Sequence, residues 1–236
     1  MKGSNDMSEL QASVSMTRRV IPVIILADVS ESMGWPLRDG EGSRIEALNT
    51  SMVALIKACV DPGPKAKVAV AVIAFGAGQA RLAMPLTPAE TARWTPVAAA
   101  GNTPLGAALR MTRQLIENPA IITQRDYRPV LVLASDGEPN DDWQDALNEL
   151  DNTEEGGKAD RFALAIGDLA DRDMLRLFIA KAMRSNTAVA KLFEAGSERE
   201  MRQNFQAISR SISLRLKSTD PNERLPIDKV KVEGLA

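Results

Sequence analysis

The 236-residue chain contains no histidine and a single cysteine, Cys59. Without imidazole there is no Ser-His-Asp or Cys-His nucleophile, and no histidine-ligated zinc or non-haem iron. One cysteine cannot close an internal disulfide or hold an iron–sulfur cluster. Long apolar runs are also missing. The longest, Val20 to Ala27, falls far short of the roughly 20 residues that span a bilayer, and it contains Pro22. Charge of one sign is missing too: 29 basic and 31 acidic residues leave a net charge of −2, so no basic field argues for nucleic acid or anionic lipid. The first residues, MKGSNDMSELQASVSMTRR, are polar and lack the apolar region of a secretory signal. These features predict a cytoplasmic protein without a membrane partner. Any bound metal must rest on oxygen ligands.

What is present is the material of a folded domain. Apolar residues make up 44% of the chain and charged residues 25%, a balance that supports one core. Residues 1–18 read as an N-terminal arm, 19–216 as the folded domain, and 217–236 as a polar tail marked by Asp220-Pro221 and Leu225-Pro226. Val20–Ala27, Val68–Phe75 and Arg128–Ser135 are apolar, β-branched runs, as expected for strands covered on both faces. Arg161–Ile166 and Val189–Phe193 add two more strands, and Ala80–Pro85 reads as a short antiparallel edge strand after a turn at Gly76–Gln79. Between them lie amphipathic helices. Ser43-Arg44-Ile45-Glu46 and Ser197-Glu198-Arg199-Glu200 are capping-box patterns, Asp61-Pro62-Gly63-Pro64 is a stop, and Thr103-Pro104 reads as an N-cap followed by a first-turn proline. Further helices are expected over Trp143–Leu150 and Asp171–Met183. Cys59 falls on the apolar stripe of the helix after Ser43, as a buried small hydrophobe. The alternation predicts a doubly wound α/β fold, Rossmann-like, with a mostly parallel sheet and helices on both faces.

In such folds ligands bind beyond the carboxyl ends of the strands, where strand order reverses. Asp28-Val29-Ser30-Glu31-Ser32 follows the first strand, Thr103 opens a helix, and Asp136 follows the third apolar strand. Taken singly, each is an ordinary turn or cap residue. Together, two carboxylates and three hydroxyls form a hard oxygen set suited to Mg²⁺, Mn²⁺ or Ca²⁺. Water or a carboxylate from another molecule can complete the shell. Such a centre recruits a partner more readily than it transforms one. The alternative is a metal-dependent hydrolase or phosphatase. Against it, Ser30 stands where aspartyl phosphatases usually carry a second acid, and nothing fixes Glu31, Glu138 or Asp142 beside a nucleophile. A Rossmann nucleotide site would need a glycine-rich loop after the first strand, and acids stand there instead.

Asp28, Ser30, Ser32, Thr103 and Asp136 resemble the metal-ion-dependent adhesion site of von Willebrand factor A domains, and the resemblance spans roughly residues 19 to 216. DVSESM, GNTPLGAAL and LVLASDGEPNDDW are similar to the bacterial tellurium-resistance, TerY-like branch. The resemblance implies that these five residues surround a Mg²⁺ ion and that the chain is a non-enzymatic interaction module whose partner supplies an acidic residue. It also implies a place in tellurite or stress resistance, with a protein kinase and a metal-dependent Ser/Thr phosphatase as partners. Glu31 stands where many relatives have glycine. Two features of the rim stay open on sequence alone. Glu138, Asp141 and Asp142 either cap the helix from Trp143 or select partners, and Trp35 and Trp143 either contact a partner or pack under the loops.

Overall fold

The computed structural model describes residues 19–40, 42–60, 66–185, 188–218 and 222. The expected arm, the stop at Asp61–Pro64 and nearly all of the tail lie outside them. Six strands form one sheet: β1 (Arg19–Asp28), β2 (Ala66–Gly76), β3 (Gln79–Pro88), β4 (Val130–Ser135), β5 (Asp160–Ile166) and β6 (Ala190–Ala195). Their order is β3-β2-β1-β4-β5-β6, parallel except for the β2–β3 hairpin. The helices are α1 (Arg44–Ala58), α2 (Leu105–Ile116), α3 (Trp143–Asp151), α4 (Glu154–Lys158), α5 (Arg172–Met183) and α6 (Glu198–Lys217). Among the described residues no helix is long and apolar enough to cross a membrane.

Alternation along the strands sends side chains to two cores. Ile21, Val23 and Ile25 of β1 meet α1 and α6, including Met201, Phe205, Ile208, Ile212 and Leu216. Ile24 and Leu26 face the other way, towards Leu105 and Leu109 of α2, Trp143 of α3 and Phe178 of α5. Cys59 is buried as expected, and burial pushes its thiol up to about 12. Pro22 survives in a central strand for a positional reason. The Val20 carbonyl accepts from Tyr127 N–H, so the Pro22 nitrogen faces the same side, one residue before pairing with β4 starts at Val23. The edge strand β3 is longer than expected. It runs through Pro85 to Pro88, which an edge position permits.

Beneath the sheet, at the amino ends of β4 and β5, Asp160 is fully buried between two arginines. It accepts from Arg128 Nε at 3.1 Å, Arg215 Nη1 at 2.8 Å and Val189 N–H at 2.7 Å. This cluster pins α6 to the sheet at the end opposite the predicted centre.

Candidate metal centre

Because β2 and β3 extend the sheet on one side of β1 and β4 to β6 extend it on the other, strand order reverses between β1 and β4. Asp28 ends β1 and Ser135 ends β4, so the crevice at their carboxyl ends is the switch point of the fold. Here the chain brings Asp28, Ser30, Ser32 and Asp136 together.

Asp28 is fully buried. Its Oδ1 accepts from the Ser30 backbone N–H at 2.8 Å, a local Asx-type turn. Its Oδ2 accepts from Ser135 Oγ at 2.6 Å. A one-turn 3₁₀ helix, Glu31–Gly34, follows with Met33 buried as its anchor. This places Ser30 and Ser32 inward and leaves Glu31 exposed. Ser30 Oγ lies 3.1 Å from Ser32 Oγ, which donates to Asp136 Oδ1 at 2.7 Å. The remaining oxygen of Asp136, Oδ2, accepts from Arg44 Nη1 at 2.5 Å, a buried ion pair.

The Thr103 segment is tied to the same crevice through its backbone. Gly101 C=O accepts from Glu31 N–H at 2.8 Å, and Thr103 C=O accepts from Asn140 N–H at 3.2 Å. Gly101 is obligatory on two counts. Its φ is +65°, and a Cβ there would stand 2.6 Å from Ala77 Cα. Thr103 is buried beside this seam. It does not cap α2 as expected: Pro104 occupies the N-cap position and Leu105 begins the helix. The cap comes from Asp141, whose two oxygens accept from Gly106 N–H at 2.8 Å and Ala107 N–H at 3.0 Å. Asp141 therefore serves α2 and not the helix from Trp143, and it binds the loop after β4 to the Thr103 loop. Asp142 sits at the N-cap of α3 without a side-chain cap bond, and Glu138 is exposed. The second capping box is also only half made: Ser197 accepts from Glu200 N–H, but the Glu200 carboxylate takes Gly196 N–H instead. Of Trp35 and Trp143, the first is half exposed on the rim and the second is packed in the core.

Electrostatics follow from burial. Asp28 is pushed from 3.8 up to about 6, first by desolvation and in lesser part by the Asp136 charge; the bonds from Ser135 and Ser30 oppose the rise. A buried carboxylate in this state is poised to take a cation. The donor spacing fits one. Metal–oxygen bonds of 2.0–2.1 Å in an octahedron put neighbouring ligand oxygens about 3 Å apart. Ser30–Ser32 at 3.1 Å and Ser32–Asp136 at 2.7 Å match such edges. Among the described residues there is no cluster of three or more His, Cys, Asp or Glu placed for a metal, so a metal in this crevice would need hydroxyl ligands. Ser135, Arg44 and Asp141 carry no motif signal of their own. Ser135 stands beside Asp136 at a strand end, and Asp141 shows in the sequence only as one of three rim acids.

Residues 23–139 match the model of the von Willebrand factor type A domain, a stretch that contains all five predicted ligands. No curated protein matches the sequence. Solved structures with the same fold include proximal thread matrix protein 1 from the mussel byssus, at TM-score 0.59 and 18% identity over 82% of this chain and 48% of that one. The PilB minor pilin from Streptococcus sanguinis aligns at TM-score 0.58 and 16% identity, over 86% of this chain and 63% of that one. The SpRpn10 VWA domain aligns at TM-score 0.55 and 18% identity, over 78% of this chain and 93% of that one. The chain thus spans about half to under two thirds of the first two proteins. The mussel protein has also been solved with zinc in its metal-ion-dependent adhesion site. Sequence match and structural likeness agree: residues 23–139 match the von Willebrand factor type A domain, and the described residues share the fold of the SpRpn10 VWA domain.

Proposed function

We propose that Asp28, Ser30, Ser32, Thr103 and Asp136 hold a divalent cation, Mg²⁺ before Mn²⁺ or Ca²⁺, and that the chain binds a partner protein through that partner's carboxylate. The observation that carries this reading is the continuous chain of donors from Ser30 Oγ through Ser32 Oγ to Asp136 Oδ1, beside a buried, desolvated Asp28 at the switch point. The bound ion supplies an electrophilic position for an incoming carboxylate oxygen. The protein's own part is to hold the ligands. Ser135 fixes the Asp28 carboxyl, Arg44 fixes Asp136, and Asp141 ties the Thr103 loop to the loop after β4. Trp35, half exposed at the rim, offers a partner an aromatic contact. The zinc-filled site of the mussel protein supports a divalent ion in this fold. By its likeness to the tellurium-resistance branch, the chain serves a bacterial tellurite- or stress-resistance system in the cytoplasm, with a protein kinase and a metal-dependent Ser/Thr phosphatase as partners.

Calorimetric titration with Mg²⁺ and Mn²⁺ tests the site. Asp136→Ala should abolish binding while the circular dichroism spectrum is retained, and unchanged binding would overturn the assignment. Recovery of partner proteins from native lysate should depend on metal and fail in EDTA. Phosphoester turnover that disappears in Asp28→Ala would instead favour the hydrolase.

A further inference from the structure

Arg44 is the first residue of α1, placed by the Ser43 cap immediately before it. Its side chain is only 9% exposed and its partner Asp136 is fully buried. The Trp35 ring lies 5.5 Å from Arg44 Cζ on one side. Gly167 backs the guanidinium so closely that a Cβ there would stand 3.1 Å from Cζ. Arg44 Nε is buried without a hydrogen-bond partner. A buried guanidinium with an unused donor is poorly satisfied, so packing for its own sake does not account for it. What the placement achieves is a fixed Asp136, with Oδ2 held by the arginine and Oδ1 turned towards Ser32.

We infer that Arg44 is a positioning and charge-compensating residue of the metal centre, one that lowers its affinity for the free ion and raises the loaded centre's affinity for a carboxylate. The inference rests on the metal assignment above. Two carboxylates cancel a divalent ion and leave a neutral centre with little pull on an anion. Arg44 restores one positive charge beside that centre. Shielded by Trp35 and the Gly167 turn, this charge is weakly screened by salt. The same charge repels the incoming cation, and a carboxylate that completes the ion's shell offsets this repulsion by its own attraction to the ion, so metal and carboxylate favour each other's binding. A divalent ion then stays on the protein mainly when an acidic partner is present.

The test is Mn²⁺ titration followed by electron paramagnetic resonance of the free ion, with acetate as the carboxylate probe on the Mn²⁺-loaded protein. Arg44→Met should bind Mn²⁺ about tenfold more tightly and acetate about tenfold more weakly, and Arg44→Lys should return both towards wild type. A merely structural role would weaken both affinities together. That outcome, or no change in either affinity, overturns the inference. If Arg44→Met does not fold, Arg44→Gln carries the same test. Asp136→Ala separates the two levels. Mn²⁺ binding that survives it sinks the metal assignment itself. Loss of binding there, with no tightening in Arg44→Met, sinks only the role of Arg44.

Discussion

Replacing Asp28 by asparagine should stabilise the metal-free protein, because the wild-type chain folds against the charge it needs for function. Burial raises the Asp28 pKa from 3.8 to about 6. The folded state therefore holds a proton that the unfolded chain has already released, and stability falls as pH rises between about 4 and 6. Above that window the penalty is complete, and a shift of this size corresponds to about 3 kcal/mol. Asparagine has the same shape and no charge. Its Oδ1 can keep the Ser30 N–H, and its amide can donate to Ser135 Oγ, which already lies 3.5 Å from Gly137 C=O as an alternative acceptor. Neutral bonds are weaker than those to a carboxylate, so the net gain should be about 1–3 kcal/mol at pH 7.5.

The assay is urea unfolding of both chains in EDTA at pH 7.5 and pH 4. Groups common to both cancel, and the advantage of Asp28→Asn should shrink below about 1 kcal/mol at pH 4, where the wild-type carboxyl is largely protonated. Metal should then invert the ranking. At a free Mg²⁺ concentration a thousandfold above its Kd, wild type gains about 4.1 kcal/mol and the variant gains little. An asparagine variant no more stable than wild type at pH 7.5 in EDTA would refute the desolvation argument. Equal Mg²⁺ stabilisation of both chains would refute the role of Asp28 as a ligand.

Two further substitutions probe the frame around the centre. Asp160→Ala leaves Arg128 and Arg215 buried without their shared carboxylate, which should cost about 3–5 kcal/mol, or on the order of 10 °C in Tm. Because the cluster sits at the opposite end of the sheet, Mn²⁺ affinity of the folded variant should stay within twofold of wild type, which titration below the unfolding transition would check. Asp141→Ala removes the cap of α2 and one tie between two site loops, for a loss of about 1–2 kcal/mol in chemical denaturation. Unlike the Asp160 variant it should also weaken Mn²⁺ binding severalfold, because Thr103 sits two residues before the capped helix; unaltered affinity would show that the Thr103 loop holds its place without the cap.

The contrast between those two acids shows what can be read from a chain of this kind. Strands β1, β2, β4 and β5 announce themselves as apolar runs because both of their faces are covered, a local signal that needs no knowledge of partners. The Ser43–Glu46 capping box is equally local, and it forms as expected. Asp141 is different: the amides it caps lie 34 and 35 residues earlier, so its sequence neighbourhood points to the wrong helix. Thr103 before Pro104 looks like a cap, yet its carbonyl is drawn to Leu105 and Asn140 and the cap position passes to the proline. The ion pair between Arg44 and Asp136 spans 92 residues and leaves no trace in either local motif.

Four of the five proposed ligands come together for a related reason: the fold class decides that loops at the carboxyl ends of β1 and β4 meet, and those loops hold Asp28, Ser30, Ser32 and Asp136, whereas Thr103 stands on the segment between β3 and α2. What stays hidden is the charge environment. Counting ligands gives two carboxylates and a neutral loaded centre; counting what lies within hydrogen-bond reach adds Arg44 and makes the sum positive. A sequence without histidine has no imidazole to take up or release charge near neutral pH, so in this domain that adjustment falls to a fixed guanidinium. Its effect on anion binding should therefore vary little with pH above about 7, once Asp28 is ionised, and a carboxylate-affinity profile across pH 7 to 9 that stays flat in wild type would distinguish a fixed charge from a titrating one.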